Sequence, residues 1–173
     1  MVQMKLLKSF TEKPSLKTFL IFFLIILMPN ILRQIYYFAA VNKFNSIDYI
    51  ASFETQQIFS SSFPFLGICE EIIIGLIYAF LWFKFRPARF LSYGWISDAM
   101  IDFISVFVWV LIGFTPIQLI TTNPYARFFL REIFFSYLIF GILFAKLKLS
   151  IKKLSFIFSG AGVVMLLIII ILK

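Results

Sequence analysis

Seven ionisable side chains lie inside long apolar stretches of the sequence, where charged groups are rare. They are Arg33, Glu70, Glu71, Asp98, Asp102, Arg131 and Glu132. A charge at the centre of a membrane helix costs roughly 2.5 to 3.5 kcal/mol, whereas each large apolar residue contributes only roughly 0.3 to 0.6 kcal/mol. Such groups therefore pair with one another, take up protons, or bind a cation or an ionic solute. We interpret all seven as a candidate substrate- or ion-binding site, and assign no catalytic residue.

The composition indicates that these apolar stretches cross a membrane. Of the 173 residues, 62% are hydrophobic and 14% are charged, whereas soluble domains are about half apolar and about a quarter charged. Apolar runs of about 18 or more residues predict transmembrane helices. We expect residues 1–173 to form a single integral membrane domain, an all-α polytopic bundle of transmembrane helices without a separate soluble domain.

Five spans are predicted. They cover residues 18–40, 63–83, 90–114, 124–145 and 154–172. Asn123 and Pro124 open the fourth span, because asparagine is a preferred N-cap and proline is tolerated in the first helical turn. Pro29 predicts a kink in the first span. The loop over 41–62 interleaves apolar and polar residues, which fits either a short helix on the membrane surface or an irregular loop.

The basic residues between the spans predict the orientation. Eleven lie on one side, namely Lys5, Lys8, Lys13, Lys17, Lys84, Arg86, Arg89, Lys146, Lys148, Lys152 and Lys153. Three lie on the other side, namely Lys43, Arg127 and Lys173. Because basic loops stay in the cytoplasm, the N-terminus is predicted to be cytoplasmic and the C-terminus outside, in a multi-pass protein of the cell inner (cytoplasmic) membrane. The net charge of +8 then reflects topology, and no nucleic-acid partner is expected.

The charged residues are predicted to share a depth. A helix rises about 1.5 Å per residue, which places Arg33, the two glutamates of the second span and the Arg131–Glu132 pair roughly 10 to 12 Å below the outer surface of the apolar layer. Asp102 falls near the middle of the membrane, and Asp98 lies one turn deeper. This agreement predicts one shared polar site that opens toward the outside.

Helical spacing predicts which faces meet at that site. Gly67, Glu71, Gly75 and Tyr78 share one face of the second span. Small residues on either side of Glu71 allow another helix to approach closely, whereas Glu70 is turned away by about 100°. In the third span one polar stripe contains Gly94, Asp98, Asp102, Ser105, Trp109 and Gly113. Aromatic residues near span ends are expected to be interfacial anchors, namely Tyr36, Tyr37, Trp82, Tyr93 and Trp95.

Several kinds of chemistry are disfavoured by residue type. The chain has no histidine and a single cysteine, Cys69, which disfavours zinc and haem sites, and we expect neither a metal ion nor a cofactor. The pair Glu70–Glu71 resembles the glutamate pair of CAAX-processing membrane proteases, whose pattern is EExxxR followed by histidines. This chain reads EExxxG, with Gly75 in the arginine position, so the resemblance fails. Two aspartates on one helix also cannot form an aspartyl-protease dyad.

Three functions are compatible with the sequence. Buried acids and arginines can bind a small polar or charged solute, as in a transporter or a substrate-binding permease subunit acting as a homo-oligomer or within a larger membrane complex. The acids can alternatively hold a metal ion in an intramembrane enzyme acting on a lipid or isoprenoid substrate. The third alternative is an accessory or immunity-type membrane protein in which the ion pairs are structural. Transport is the leading prediction, and catalysis is the less favoured.

Overall fold

The structure, a computed structural model, describes residues 14–44, 65–113, 120, 123, 125–126 and 129–172, and their regular structure is helical throughout. Its long helices are α1 (Leu16–Phe44), α2 (Phe65–Lys84), α3 (Arg89–Ile112), α4 (Phe129–Gly141 continued by Ile142–Lys146) and α5 (Ile151–Ile171). The first part of α4 is a π-helix and its second part is an α-helix. The all-α prediction is therefore confirmed for these residues.

Three helical segments of the described chain are long and apolar enough to cross a membrane. They are Leu16–Ala40, Arg86–Ile112 and Ile151–Ile171. The segments correspond to the first, third and fifth predicted spans, and they indicate a membrane protein. Helix α2 has 20 residues and includes two glutamates and a lysine. These charged residues distinguish α2 from the three candidate membrane spans.

The helix ends follow local sequence signals. Helix α3 ends at Ile112 because Gly113 adopts the left-handed conformation (φ +76°) and donates its N–H to the Trp109 carbonyl at 2.7 Å. A side chain at that position would be strained, which is why glycine ends helices in this way. Helix α5 begins after Ser150, whose Oγ accepts a hydrogen bond from the Lys153 N–H at 3.4 Å. Asn123 caps the chain ahead of α4, since its Oδ1 accepts from the N–H groups of Tyr125 and Ala126.

Some predicted features lie outside the described residues. They are most of the 41–62 loop, the start of the second span at 63, Pro124 in the opening turn of the fourth span, and the ends Phe114 and Lys173. The same holds for the side chains of Lys5, Lys8, Lys13, Lys43 and Arg127.

Helices α1 and α3 lie at the centre of the bundle. Helix α1 packs against α2, α3 and α5, and α3 packs against all four of the other long helices. One apolar core joins α1 to α2 and α3 around Ile26, Ala79 and Ile96. A second core joins α1 to α3 and α5 around Tyr36, Phe103 and Ile169. The polar site lies on α1 between the residues that contribute to these two cores.

Pro29 creates a polar defect in α1 that α5 repairs. A proline has no backbone N–H, so the carbonyl four residues earlier, that of Ile25, receives no hydrogen bond from within the helix. The Ser155 hydroxyl donates a hydrogen bond to that carbonyl from across the helix interface. Both Pro29 and Ser155 are buried. A serine hydroxyl therefore replaces the missing helical hydrogen bond where no water is available.

Ser155 and Ser159 provide a matched test of this repair, because both are buried on the same face of α5. The Ser155→Ala substitution leaves a buried carbonyl unsatisfied and is expected to lower the free energy of unfolding by about 1 to 3 kcal/mol. Ser159→Ala is expected to change it by less than about 0.5 kcal/mol, since the Ser159 hydroxyl has no hydrogen-bond partner in the described structure. Both values would be measured by denaturant unfolding in detergent micelles.

A second substitution separates this explanation from simple loss of packing. Alanine at position 29 restores the N–H that Ile25 lacks. In the Pro29→Ala background the cost of Ser155→Ala should therefore fall. Equal costs for the two serines, or no coupling between positions 29 and 155, would contradict the proposed repair.

Candidate functional site

Arg33 is the centre of the candidate site. Its guanidinium group contacts carboxylates from two other helices: Glu71 of α2 and both aspartates of α3. The contact with Asp102 measures 3.1 Å between Nη1 and Oδ2. The Arg33 side chain is only 12% exposed. The planar fork of the guanidinium allows one residue to bridge several carboxylates, which a lysine ammonium would not do with the same geometry.

Glu71 is surrounded by hydrogen-bond donors. Its Oε1 accepts from Arg33 and from Gln34 Nε2 at 2.9 Å, and its Oε2 accepts from Trp95 Nε1 at 3.2 Å. The flanking glycines make this close approach possible. A Cβ atom at Gly67 would lie 2.7 Å from Gln34 Oε1, and one at Gly75 would lie 2.7 Å from Trp95 Cη2. Because all its neighbours donate, Glu71 fits this position as an ionised acceptor.

Asp102 lies between the two arginines. Its Oδ2 contacts Arg33, and its Oδ1 lies 3.0 Å from Arg131 Nη1. The second contact is an ion pair without hydrogen-bond alignment. Arg131 also pairs with the neighbouring Glu132 through Nη2. Asp102 is buried, whereas the Glu132 side chain is 23% exposed, so Glu132 marks the accessible edge of the network.

Asp98 meets an arginine at one carboxylate oxygen and a serine hydroxyl at the other. Oδ2 contacts Arg33, and Oδ1 lies 3.1 Å from the Oγ of Ser136. The same hydroxyl lies 3.0 Å from the backbone carbonyl of Arg131, five residues earlier. A serine hydroxyl has one hydrogen to donate, yet it meets two acceptors. Both contacts become good hydrogen bonds when Asp98 is protonated and donates to Ser136, which then donates to the carbonyl.

The π-helical form of α4 brings Ser136 to this position. In an α-helix, five residues turn the chain by about 500°, so Ser136 would point about 140° away from Arg131. In a π-helix the backbone hydrogen bonds join residues five apart, which brings these residues much closer to the same face. Arg131 and Ser136 can then both face α3, where they meet Asp102 and Asp98 respectively. π-Helical turns are rare and often occur at functional sites.

The structure brings together six of the seven predicted site residues. They are Arg33, Glu71, Asp98, Asp102, Arg131 and Glu132. Glu70 lies apart from them on the exposed side of α2. Asp98 was predicted to lie one turn deeper than Asp102, yet it contacts Arg33 at the centre of the site. Side chains of α-helices lean toward the N-terminal end, which for α1 is the end nearer Asp98, and the long Arg33 side chain bridges the remaining turn.

The sequence interpretation was wrong for three aromatic residues and did not identify Ser136. Trp95, Tyr93 and Tyr36 were expected to be interfacial anchors, yet all three are buried. Trp95 donates to Glu71, and Tyr36 donates to the Phe103 carbonyl at 3.2 Å, so both are retained inside by hydrogen bonds. Ser136 carried no signal, because its position depends on the π-helical pitch. A serine among phenylalanines in an apolar span is the feature that could have identified it.

The candidate site thus has four acidic side chains and two basic ones, contributed by four helices. No protein-family model, curated protein or solved structure matches this chain. Between them the six residues can form ion pairs, exchange protons and rearrange their partners around the two guanidinium groups.

A pair of conservative substitutions tests these protonation assignments. Glu71→Gln places an amide donor against existing donors and removes a charge from Arg33, so we expect a loss of about 3 kcal/mol or more in the free energy of unfolding. Asp98→Asn supplies an amide that donates to Ser136 as a protonated acid does, so we expect a loss of about 1 kcal/mol or less. Denaturant unfolding in micelles at neutral pH would measure both. Equal losses would contradict the assignments.

Proposed function

We propose that this protein is a proton-coupled transporter, or a substrate-binding subunit of a larger permease, for a small polar or charged solute. In this proposal it crosses the cytoplasmic membrane five times, with its N-terminus inside and its C-terminus outside. The length of α2 supports this topology, since 20 residues at about 1.5 Å per residue match a hydrocarbon layer of about 30 Å. Helix α4 adds 18 described residues of mostly apolar sequence.

The observation that carries the proposal is the contact between Asp98 and Ser136. It gives the network one carboxyl group whose surroundings fit a bound proton, while Glu71 meets only donors and fits the ionised form. Two acids in one buried site that favour opposite protonation states are the usual arrangement for controlled proton transfer. Acids of this kind within membrane spans form the proton relays of pumps and transporters.

The charge balance supports the same assignment. If all four acids were ionised, the two arginines would leave a net charge of −2 in the network. With Asp98 protonated and Glu132 hydrated at the accessible edge, the interior charges of Glu71 and Asp102 balance Arg33 and Arg131. A neutral interior avoids the large cost of an uncompensated buried charge. Loss of the Asp98 proton would upset this balance and favour a rearrangement of Arg33 among its three carboxylates.

Asn30 supports a solute or water site next to the network. Its side chain is fully buried and donates to the Trp95 carbonyl at 3.3 Å, but its Oδ1 accepts no hydrogen bond in the described structure. Buried amide oxygens are nearly always satisfied. A solute with an N–H or O–H group, or a water molecule that precedes it, would supply the missing donor. Asn30 lies one turn from Arg33, which places this acceptor beside the charged centre.

The donor set favours transport over metal-dependent catalysis. Among the described residues, no three carboxylate, thiol or imidazole groups converge on a point where a metal ion could bind. The guanidinium group of Arg33 occupies the space between Glu71, Asp98 and Asp102. An arginine at that position leaves the site suited to protons and solutes.

One observation favours a second candidate function, that of an accessory membrane protein. Each of the four acids in the network has an ion-pair partner, and such pairs can fix helix register without any movement. In this case the network would be permanently closed, and its protonation would have no consequence for activity.

Reconstitution into lipid vesicles distinguishes the two functions. Vesicles would contain a pH-sensitive dye, and solutes would be added by class: amino acids, sugars, organic acids and monovalent cations. For a proton-coupled carrier we expect one class to drive dye acidification in the wild type and in Ser97→Ala, a control residue that bonds only within α3. Asp98→Asn should abolish the proton movement because the amide cannot release a proton.

Infrared spectroscopy adds a readout that does not require the solute. We expect the wild type to show a protonated-carboxyl band that remains in Glu70→Gln and in Glu132→Gln but is lost in Asp98→Asn. Absence of that band from the wild type would contradict the proposal. A band accompanied by unchanged solute-driven proton movement in Asp98→Asn would favour the accessory role.

A further inference from the structure

Helix α2 presents an exposed apolar stripe that contains one carboxylate. Ile73, Ile77 and Phe80 are 60%, 52% and 55% exposed, and Glu70 lies on the same side of the helix. The spacing of three, four and three residues places these side chains in one row. The opposite face of α2, which carries Glu71 and Gly75, packs against α1 and α3. The stripe is therefore the outer surface of the bundle on this side.

Glu70 is the exception among the acids of the spans. Glu71, Asp98, Asp102 and Glu132 all contact an arginine. Glu70 makes no hydrogen bond or ion pair in the described structure and points away from the network. An ionised carboxylate facing lipid is strongly unfavourable, and such residues almost always face protein or a water-filled cavity. A partner that supplies a basic group to Glu70 would remove this cost.

The other exposed faces of the bundle show what a lipid-facing surface of this protein looks like. The outward face of α5 contains Phe156, Ile157, Val163, Val164, Leu167, Ile170 and Ile171, without a charged residue among them. The outward residues of α3 are Ile104, Leu111 and Ile112. Glu132 on α4 is also partly exposed beside Phe129 and Ile133, but it pairs with Arg131. Within the described surface, the α2 stripe is therefore distinct in combining apolar residues with an acid that has no basic partner.

The geometry points to a transmembrane helix of a different protein, carrying an arginine or lysine at the depth of Glu70, as the partner of this stripe. Charge complementarity selects that partner, because a basic side chain satisfies the carboxylate while apolar neighbours cover Ile73, Ile77 and Phe80. A second copy of this chain fits less well. The basic residues within its described spans, Arg33 and Arg131, are already paired inside the network. This inference rests on the proposed five-span topology, which places α2 in the membrane.

Site-specific photocrosslinking in native membranes tests this inference. A photoreactive phenylalanine analogue would replace Ile73 in the stripe or, as a matched control, Leu167 on α5, which is 52% exposed. We expect a covalent adduct with one membrane protein from Ile73 and not from Leu167. Mass spectrometry of the adduct should locate the crosslink in a span that contains arginine or lysine. Glu70→Leu should reduce the adduct roughly threefold to fifteenfold, the range for single polar contacts between membrane helices.

Charge reversal then establishes which interaction holds the partner. Glu70→Lys should abolish the adduct, and exchanging the partner's basic residue for glutamate should restore it. An adduct with twice the mass of the chain would show self-association and would overturn the inference. Crosslinks to lipid alone, a partner span without a basic residue, or an adduct unaffected by Glu70→Leu would also overturn it.

A labelling control separates failure of this inference from failure of the topology. Cys69, the single cysteine, would be replaced by serine and Glu70 by cysteine. A water-soluble maleimide should modify position 70 in intact membranes only if α2 lies outside the bilayer. Rapid modification would therefore overturn the five-span topology and this inference with it. Protection of position 70 without any partner adduct would overturn the interface alone.

Discussion

The contact of one arginine with carboxylates from two neighbouring helices is the constraint on which the arrangement of this bundle depends. Arg33 joins α1 to α2 through Glu71 and to α3 through Asp98 and Asp102. Apolar surfaces in a membrane do not by themselves fix how helices face one another, because lipid is as apolar as the side chains. Ion pairs with defined geometry do fix it. The rotation of α1 about its axis, and the inward face of α2, follow from the need to enclose this guanidinium.

The contacts of α4 with the network depend on its π-helical backbone. The π-helical pitch of α4 places Arg131 against Asp102 and Ser136 against Asp98, so that one helix contacts both aspartates of α3. The two aspartates are one turn apart and share Arg33, yet they have different second partners. Asp102 meets a second cation, Arg131, together with the Tyr37 hydroxyl, whereas Asp98 meets the Ser136 hydroxyl. The second arginine, and not a difference in burial, distinguishes the surroundings of the two aspartates.

The sequence predicted those structural features that depend on the residue types within one helix. The apolar runs located the helices to within a few residues, and the two glycines beside Glu71 correctly distinguished the packed glutamate from Glu70. The rise of a helix predicted that Arg33, Glu71 and the Arg131–Glu132 pair would meet at one level. What the sequence could not provide depended on several helices at once. Trp95 is buried because Glu71 accepts its N–H, and Ser136 faces Asp98 because α4 is wound as a π-helix. Neither property can be read from one segment alone.

The hydrogen bond from Ser155 to the Ile25 carbonyl has a consequence for biosynthesis. The two residues are 130 positions apart in the chain, so α1, which holds the acceptor, is synthesised well before α5. Until α5 is made, α1 has a backbone carbonyl that its own helix cannot satisfy. Insertion machinery, water or lipid headgroups must accommodate that group during translation. The contact between α1 and α5 therefore forms only after the helices between them have been made.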